Sequence, residues 1–195
     1  VFVCNNDIRF EYNTIEGLTK WLDKRANDIV MVPTYLMGTD DILYSHLKMN
    51  GLVESREVIK KKKGYVLTDY CAGSFFAFAF RESDILLFEE SYFMYWEEVD
   101  WCFNQKENNN KRCVSVLEYK IERVNHDYSS AVFAEYYISR NSLFFAKKYG
   151  YSQNHWIKFI FKRFLRRIFG LVLRGHFRML KAHLKGCFHI IKFNG

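Results

Sequence analysis

Charge along this chain is divided so unevenly that its two ends must meet solvent and partners differently. From Tyr136 to Gly195 there are 13 Lys/Arg and no Asp or Glu, whereas the first 135 residues hold 16 Lys/Arg and all 22 Asp/Glu. The pI of about 9.1 therefore belongs to the C-terminal segment, not to the body. A segment of this kind seeks phosphate, on lipid or on nucleic acid. Its stripe Trp156, Ile160, Phe164, Ile168 and Leu171 runs beside Lys158, Lys162, Arg163, Arg166, Arg167, Arg174 and Arg178. That pattern reads either as an interfacial amphipathic helix or as a helix packed on the body with a solvated basic face. No apolar run approaches the roughly 20 residues that span a bilayer.

Ahead of that tail, β-branched and aromatic runs alternate with helical patterns. Strands are expected at Val1 to Cys4, Asp28 to Val32, Tyr65 to Cys71, Ser74 to Phe80, Cys113 to Leu117 and Ile121 to Val124. Helices are expected at Thr14 to Lys24, with Thr14 as N-cap, and at Glu97 to Lys106 and Ala131 to Tyr149. Ser83 reads as the cap of a short helix. Residues 34–64 read as loops and short hairpins. The tail reads as helical, with Gly170, Gly175 and Gly186 as breaks. The alternation implies an α/β fold with a mixed sheet. The five cysteines are odd in number and lack C-x-x-C spacing, so neither a disulfide framework nor a zinc site is expected. Reduced thiols in a cytosolic setting are the simpler reading. The start at Val1, inside a strand-like run and without a signal peptide, reads as that of a fragment.

Several short clusters have chemical potential. Asn5-Asn6-Asp7 closes an apolar strand, as an Asx turn or as a hard-cation site. Tyr95 to Trp101 sets Glu97, Glu98 and Asp100 among aromatic rings, which raise a carboxylate's pKa and suit it to act as a base. The plainer reading is a helix start whose acids complement the macrodipole. His126 follows a strand, as a loop histidine or a metal contact. Arg140 reads as a phosphate clamp or as the partner of Glu135 or another acid of the body. The Lys60 to Lys63 run reads as a solvated loop.

Taken in order, these segments resemble the family 2 glycosyltransferases of the GT-A fold, an inverting family, and particularly its rhamnosyltransferase-like and galactofuranosyltransferase-like branches. VFVCNND (1–7) is similar to the strand ending in the D-x-D motif, and DIVMVP (28–33) to the next strand. DYCAGSFFAFAFR (69–81) resembles the acceptor-side strand pair. SYFMYWEEVDWCFN (91–104) resembles the F-x-x-(W/F)-E-D-x-D motif, and YYISRN (136–141) the Y-Y-x-x-R-N helix. Residues 125–130 resemble the family's His followed by Ser.

The resemblance implies a partial GT-A (nucleotide-diphospho-sugar transferase) fold, with a catalytic, acceptor-side part over 1–150 and a basic amphipathic helical tail over 151–195. It implies Glu98 as base and Gly73, Trp96, Glu97 and Asp100 as acceptor contacts. Asn5, Asn6 and Arg140 would meet the donor, and Asp7 and His126 would bind Mn2+ or Mg2+. The implied activity is hexosyl transfer to a saccharide or lipid-linked acceptor in cell-surface polysaccharide synthesis. Its place would be the cytoplasmic, inner face of the membrane, with peripheral contact through the tail and no nucleic acid. Two positions depart from the family pattern: Glu98 stands for Asp, and Asn104 for Arg. The family's nucleotide-binding half, which precedes the D-x-D strand, has no counterpart here, so this stretch alone is expected to transfer no sugar. The rival expectations are a basic membrane- or nucleic-acid-binding module and a degenerate, non-catalytic remnant.

Overall fold

The computed structural model describes the chain except residues 52, 62, 81–86, 125–130, 151 and 193–195, with the backbone alone at 131, 156, 160, 162, 163 and 190–192. Ser83 and most of the helix expected from it through Phe88 lie outside the described residues, and Leu87 and Phe88 are not helical. The fold is mixed α/β, as the alternation implied, and the chain divides into two compact units. The first comprises Val1–Met49, Ser55–Phe88 and Glu98–His126; the second comprises Asn50–Glu54, Glu89–Glu97 and Asp127–Gly195.

A mixed five-stranded sheet organises the first unit. Its strands are β1 (Phe2–Cys4), β3 (Asp28–Met31), β8 (Tyr65–Thr68), β9 (Phe75–Phe78) and β10 (Arg112–Val116), in the order β1-β9-β3-β10-β8. Only the β3–β10 pair is parallel. Strand alternation splits the apolar residues between two faces. Val30, Val32, Phe75, Ala77, Val114 and Val116 face Leu18 and Leu22 of helix α1 (Tyr12–Lys24). On the other face, Phe76 and Phe78 meet Trp101 of helix α2 (Glu97–Asn109), with ring centroids 5.4 and 4.8 Å apart. The buried carboxylate of Asp28 accepts from Trp21 Nε1 at 3.0 Å and from Arg112 Nε at 2.9 Å and Nη2 at 2.6 Å.

Beside it, β2 (Ile8–Phe10), β11 (Ile121–Arg123), β4 (Thr34–Leu36) and β5 (Ile42–Tyr44) form a four-stranded sheet in the order β2-β11-β4-β5. β6 (His46–Asn50) pairs with β7 (Val53–Glu57). The short hairpins expected in residues 34–64 are thus these strands. Thr14 is not the N-cap of α1: the helix starts at Tyr12, and Glu11 precedes it. Positions 14, 18 and 22 share a face, so Thr14 is buried with the leucines. Asn110, at φ 51°, ends α2, since asparagine tolerates the left-handed region.

The second unit is helical: α3 (Ala131–Lys148), α4 (Gln153–Phe159), a π-helical turn (Ile160–Leu165), α5 (Arg166–Leu173) and α6 (Phe177–Lys192). Of the three glycines expected to break the tail, only Gly175 does, at φ 67°. Gly170 lies within α5 and Gly186 within α6. Gly186 is a packing glycine, because a Cβ there would sit 2.4 Å from the Tyr136 carbonyl oxygen of α3.

Before α2 comes a strained run of backbone. A 3-10 turn (Glu90–Tyr92) runs into Phe93, Tyr95 and Trp96, with φ of 62°, 62° and 74°. Left-handed conformations cost non-glycine residues about 1–2 kcal/mol each. Asn141 Nδ2 offsets this cost by donating to the carbonyls of Tyr92, Met94 and Tyr95 at 2.9, 2.7 and 2.8 Å. Arg140 Nη2 adds bonds to the carbonyls of Ser91 and Tyr92 at 2.6 and 2.8 Å. Asn141→Ala is expected to destabilise the fold by about 3 kcal/mol, through several lost bonds to buried carbonyls. Urea unfolding of the variant measures it, and a cost within about 0.5 kcal/mol would contradict this role.

Candidate functional site

In the first unit, three separate segments meet where β1 ends. The Asn5 N–H donates to the Ser74 carbonyl at 3.0 Å, continuing the β1–β9 ladder one step beyond Cys4↔Phe75. The Ala72–Ser74 turn therefore lies against the Asn5-Asn6 corner. At Gly73 a Cβ would lie 3.6 Å from the Glu98 side chain, so the turn and the first turn of α2 are neighbours. Ser74 Oγ is in turn 3.0 Å from Tyr44 Oη, a buried pair. Asn5 and Asn6 are exposed, and Glu98 is half-buried. Asn5, Gly73 and Glu98, which the sequence analysis named separately, are thus brought together. Tyr44 was missed. It sits in a segment read as loop, and its partner is 30 residues away, beyond any local pattern.

Asp7, a short step along the chain, is held differently. Its carboxylate accepts from Arg123 Nε at 3.0 Å, its side chain is about 10% exposed, and its carbonyl accepts from Val124 N–H at 3.1 Å. Across the described residues, the ligand-sized group of three or more His, Cys, Asp or Glu is the cysteine set Cys71, Cys102 and Cys113, and it does not include Asp7. His126 lies outside the described residues.

The acidic cluster is spread by depth. Asp100 is buried at 2% exposure on the inner side of α2. Glu97, the first residue of α2, belongs to the second unit. Its carboxyl is held above its ordinary range by burial, and among the described residues Oε2 has no hydrogen-bond partner. Trp96, expected beside an acceptor, is 1% exposed and packs on Phe145 with centroids 5.2 Å apart.

Within the second unit, Arg140 is engaged with the backbone of Ser91 and Tyr92 and stacks over Tyr137. Its expected alternative partner, Glu135, bonds instead to Arg167 and to His183 Nδ1, the latter at 2.8 Å. Burial alone would push the Glu135 carboxyl up, but bonds from His183 and Arg167 outweigh it and bring it down to about 2. The stability this group confers is present above its ordinary value of 4.5 and lost as pH falls through about 2. Ser139 Oγ lies 2.7 Å from the same His183 nitrogen and donates to the Glu135 carbonyl. Serine and glutamate thus share one ring nitrogen, which is not the relay of a nucleophilic triad.

The tail has two apolar sides. Phe164 packs on His183, with centroids 5.4 Å apart, and Leu171 is buried. Phe161, Leu165, Phe169 and Val172 are exposed together along another side. Close to them, Arg166, Arg167 and Arg174 line a cleft of about 610 Å³ with Glu135 and His183. No helix among the described residues is long and apolar enough to cross a membrane. Compared with protein-family models and with curated proteins, the chain matches none.

The raised Glu97 carboxyl makes a prediction with a definite sign. Its stabilising, protonated form is complete below pH 4.5 and is lost as pH rises through the higher folded value. Glu97→Gln is therefore expected to gain stability relative to wild type as pH rises from 4 to 8. Urea midpoints across that range test it, and parallel curves would contradict it.

Proposed function

We propose that the chain is the acceptor-side part of an inverting GT-A-type glycosyltransferase that uses a nucleotide-diphospho-sugar, with Glu98 as its base. The observation that carries this reading is the meeting of the Asn5-Asn6 corner, the Gly73 turn and Glu98 within one unit. These are three of the segments on which the resemblance rests. In the proposed step, the Glu98 carboxylate takes the proton of an acceptor hydroxyl. The hydroxyl oxygen attacks the anomeric carbon in line, and the bond from that carbon to the diphosphate oxygen breaks. The nucleoside diphosphate leaves with the electron pair. Gly73, lacking a side chain, lets the turn lie close to Glu98, where a Cβ would already touch the glutamate at 3.6 Å. The exposed amides of Asn5 and Asn6 offer donors to the leaving diphosphate.

The buried Asp100 and Trp96 support the frame in this reading and do not touch the acceptor. Arg140 is committed to the loop backbone. Asp7, as folded, is neutralised by Arg123 and has no further acidic or imidazole ligand grouped with it among the described residues. The second residue expected to hold Mn2+ or Mg2+ with Asp7 is His126, which lies outside the described residues.

Peripheral membrane contact belongs to the same proposal, for a lipid-linked acceptor. The exposed row Phe161, Leu165, Phe169 and Val172, next to the Arg166 and Arg174 guanidiniums, suits an anionic bilayer surface.

Two experiments test these readings. In the first, the chain is joined to the nucleotide-binding half of a family 2 enzyme and sugar transfer is followed. Glu98→Gln is expected to lower transfer by about 100-fold or more. Gly73→Ala, which meets only ordinary contacts, is expected to keep the fold while weakening acceptor use. Full activity in Glu98→Gln would remove the base assignment, and a folded but inert chimera would favour a non-catalytic remnant. In the second, flotation with anionic vesicles is expected to fall about tenfold or more in Phe161→Ser/Phe169→Ser. Equal flotation would contradict membrane contact through this row.

A further inference from the structure

The first unit gathers three cysteines that no local spacing connects. Cys71 lies in the turn after β8, Cys102 on α2 and Cys113 on β10. The sulfurs all lie within 4.8 Å of one another, and the residues are 0%, 0% and 5% exposed. Sheet register explains part of this. Cys113 stands opposite Thr68 of β8 and Ile29 of β3, so the chain leaving β8 brings Cys71 next to it. Cys71 N–H donates to Cys102 Sγ at 3.4 Å, and Cys71 Sγ donates to the Ile29 carbonyl at 3.4 Å.

We propose that Cys71, Cys102 and Cys113 form a structural site for one thiophilic d10 metal ion of the zinc class. Sulfur donors of this softness select such ions over manganese or magnesium. Tetrahedral coordination at a Zn–S distance of about 2.3 Å needs sulfurs roughly 3.8 Å apart, so shifts of about 1 Å or less close the set. A buried cysteine by itself is usually a small apolar filler. Three of them from distant points of the chain, converging within ligand range, go beyond filling. The N–H to sulfur bond is of the kind that supports a metal-bound thiolate. Three thiolates on a divalent ion leave one negative charge, and Lys106, one turn beyond Cys102 on α2, offers a compensating cation.

This site does not depend on the proposed enzymatic activity, yet it bears on the same elements. Cys71 is two residues from Gly73, and Cys102 is one helical turn from Glu98. A bound ion would pin the Gly73 turn and α2 to the sheet.

The test is refolding of the full chain under a phosphine reductant with Zn2+ or Cd2+. Bound metal is measured by mass spectrometry, and thiolate-to-cadmium charge transfer by ultraviolet absorption. About one ion per chain and a charge-transfer band are expected. Both should be lost in Cys71→Ser and Cys102→Ser and kept in Cys4→Ser and Cys187→Ser. Zinc is expected to raise the wild-type Tm by several degrees, a readout that stands even where a variant does not fold. A folded wild type without the band or the thermal shift overturns the proposal, as does a band that survives both Cys71→Ser and Cys102→Ser.

Discussion

One side-chain amide holds an improbable piece of this backbone in place. Phe93, Tyr95 and Trp96 all have positive φ, a conformation that bulky L-residues adopt only when something outside the loop requires it. Asn141 supplies that requirement by bonding three successive stretches of carbonyl, and Arg140 extends the hold to Ser91. The loop feeds directly into Glu97, where α2 begins. Where that helix starts, and so where Glu97 is placed, depends on an asparagine and an arginine that α3 contributes. Trp96 is turned onto Phe145 by the same constraint.

The charge asymmetry of the sequence has a structural counterpart in the second unit. Glu135 is the last acidic residue of the chain, and it receives Arg167 and His183. One buried carboxylate thus ties α3 to α5 and α6, while Arg166 and Arg174 remain on the cleft surface. Removing one partner of such a pair would leave a buried charge uncompensated, so the network holds the three helices to one arrangement.

Much of the fold was legible in the sequence because it is written locally. The continuous buried runs DIVM and RCVSV each encode a strand, and the 14–18–22 spacing of α1 encodes a helix and its buried face. Thr14 misled because the same spacing that buries the leucines also buries the threonine. Gly186 misled because a glycine that breaks a helix and one that lets two helices approach look identical in sequence. Asn5, Gly73 and Glu98 were each legible, but their meeting depends on β1–β9 register. The cysteine set, the Glu135 network and the reach of Asn141 across 46 to 49 residues are products of tertiary folding alone.

We propose that the corner of Asn5, the Gly73 turn and Glu98 receives a saccharide acceptor. The most direct test is amide chemical-shift mapping of the chain titrated with a panel of acceptor oligosaccharides. Saturable shifts concentrated at Asn5, Asn6, Gly73, Ser74 and Glu98 are expected. Shifts confined to the helices of the tail, or none for any saccharide at millimolar concentration, would contradict it.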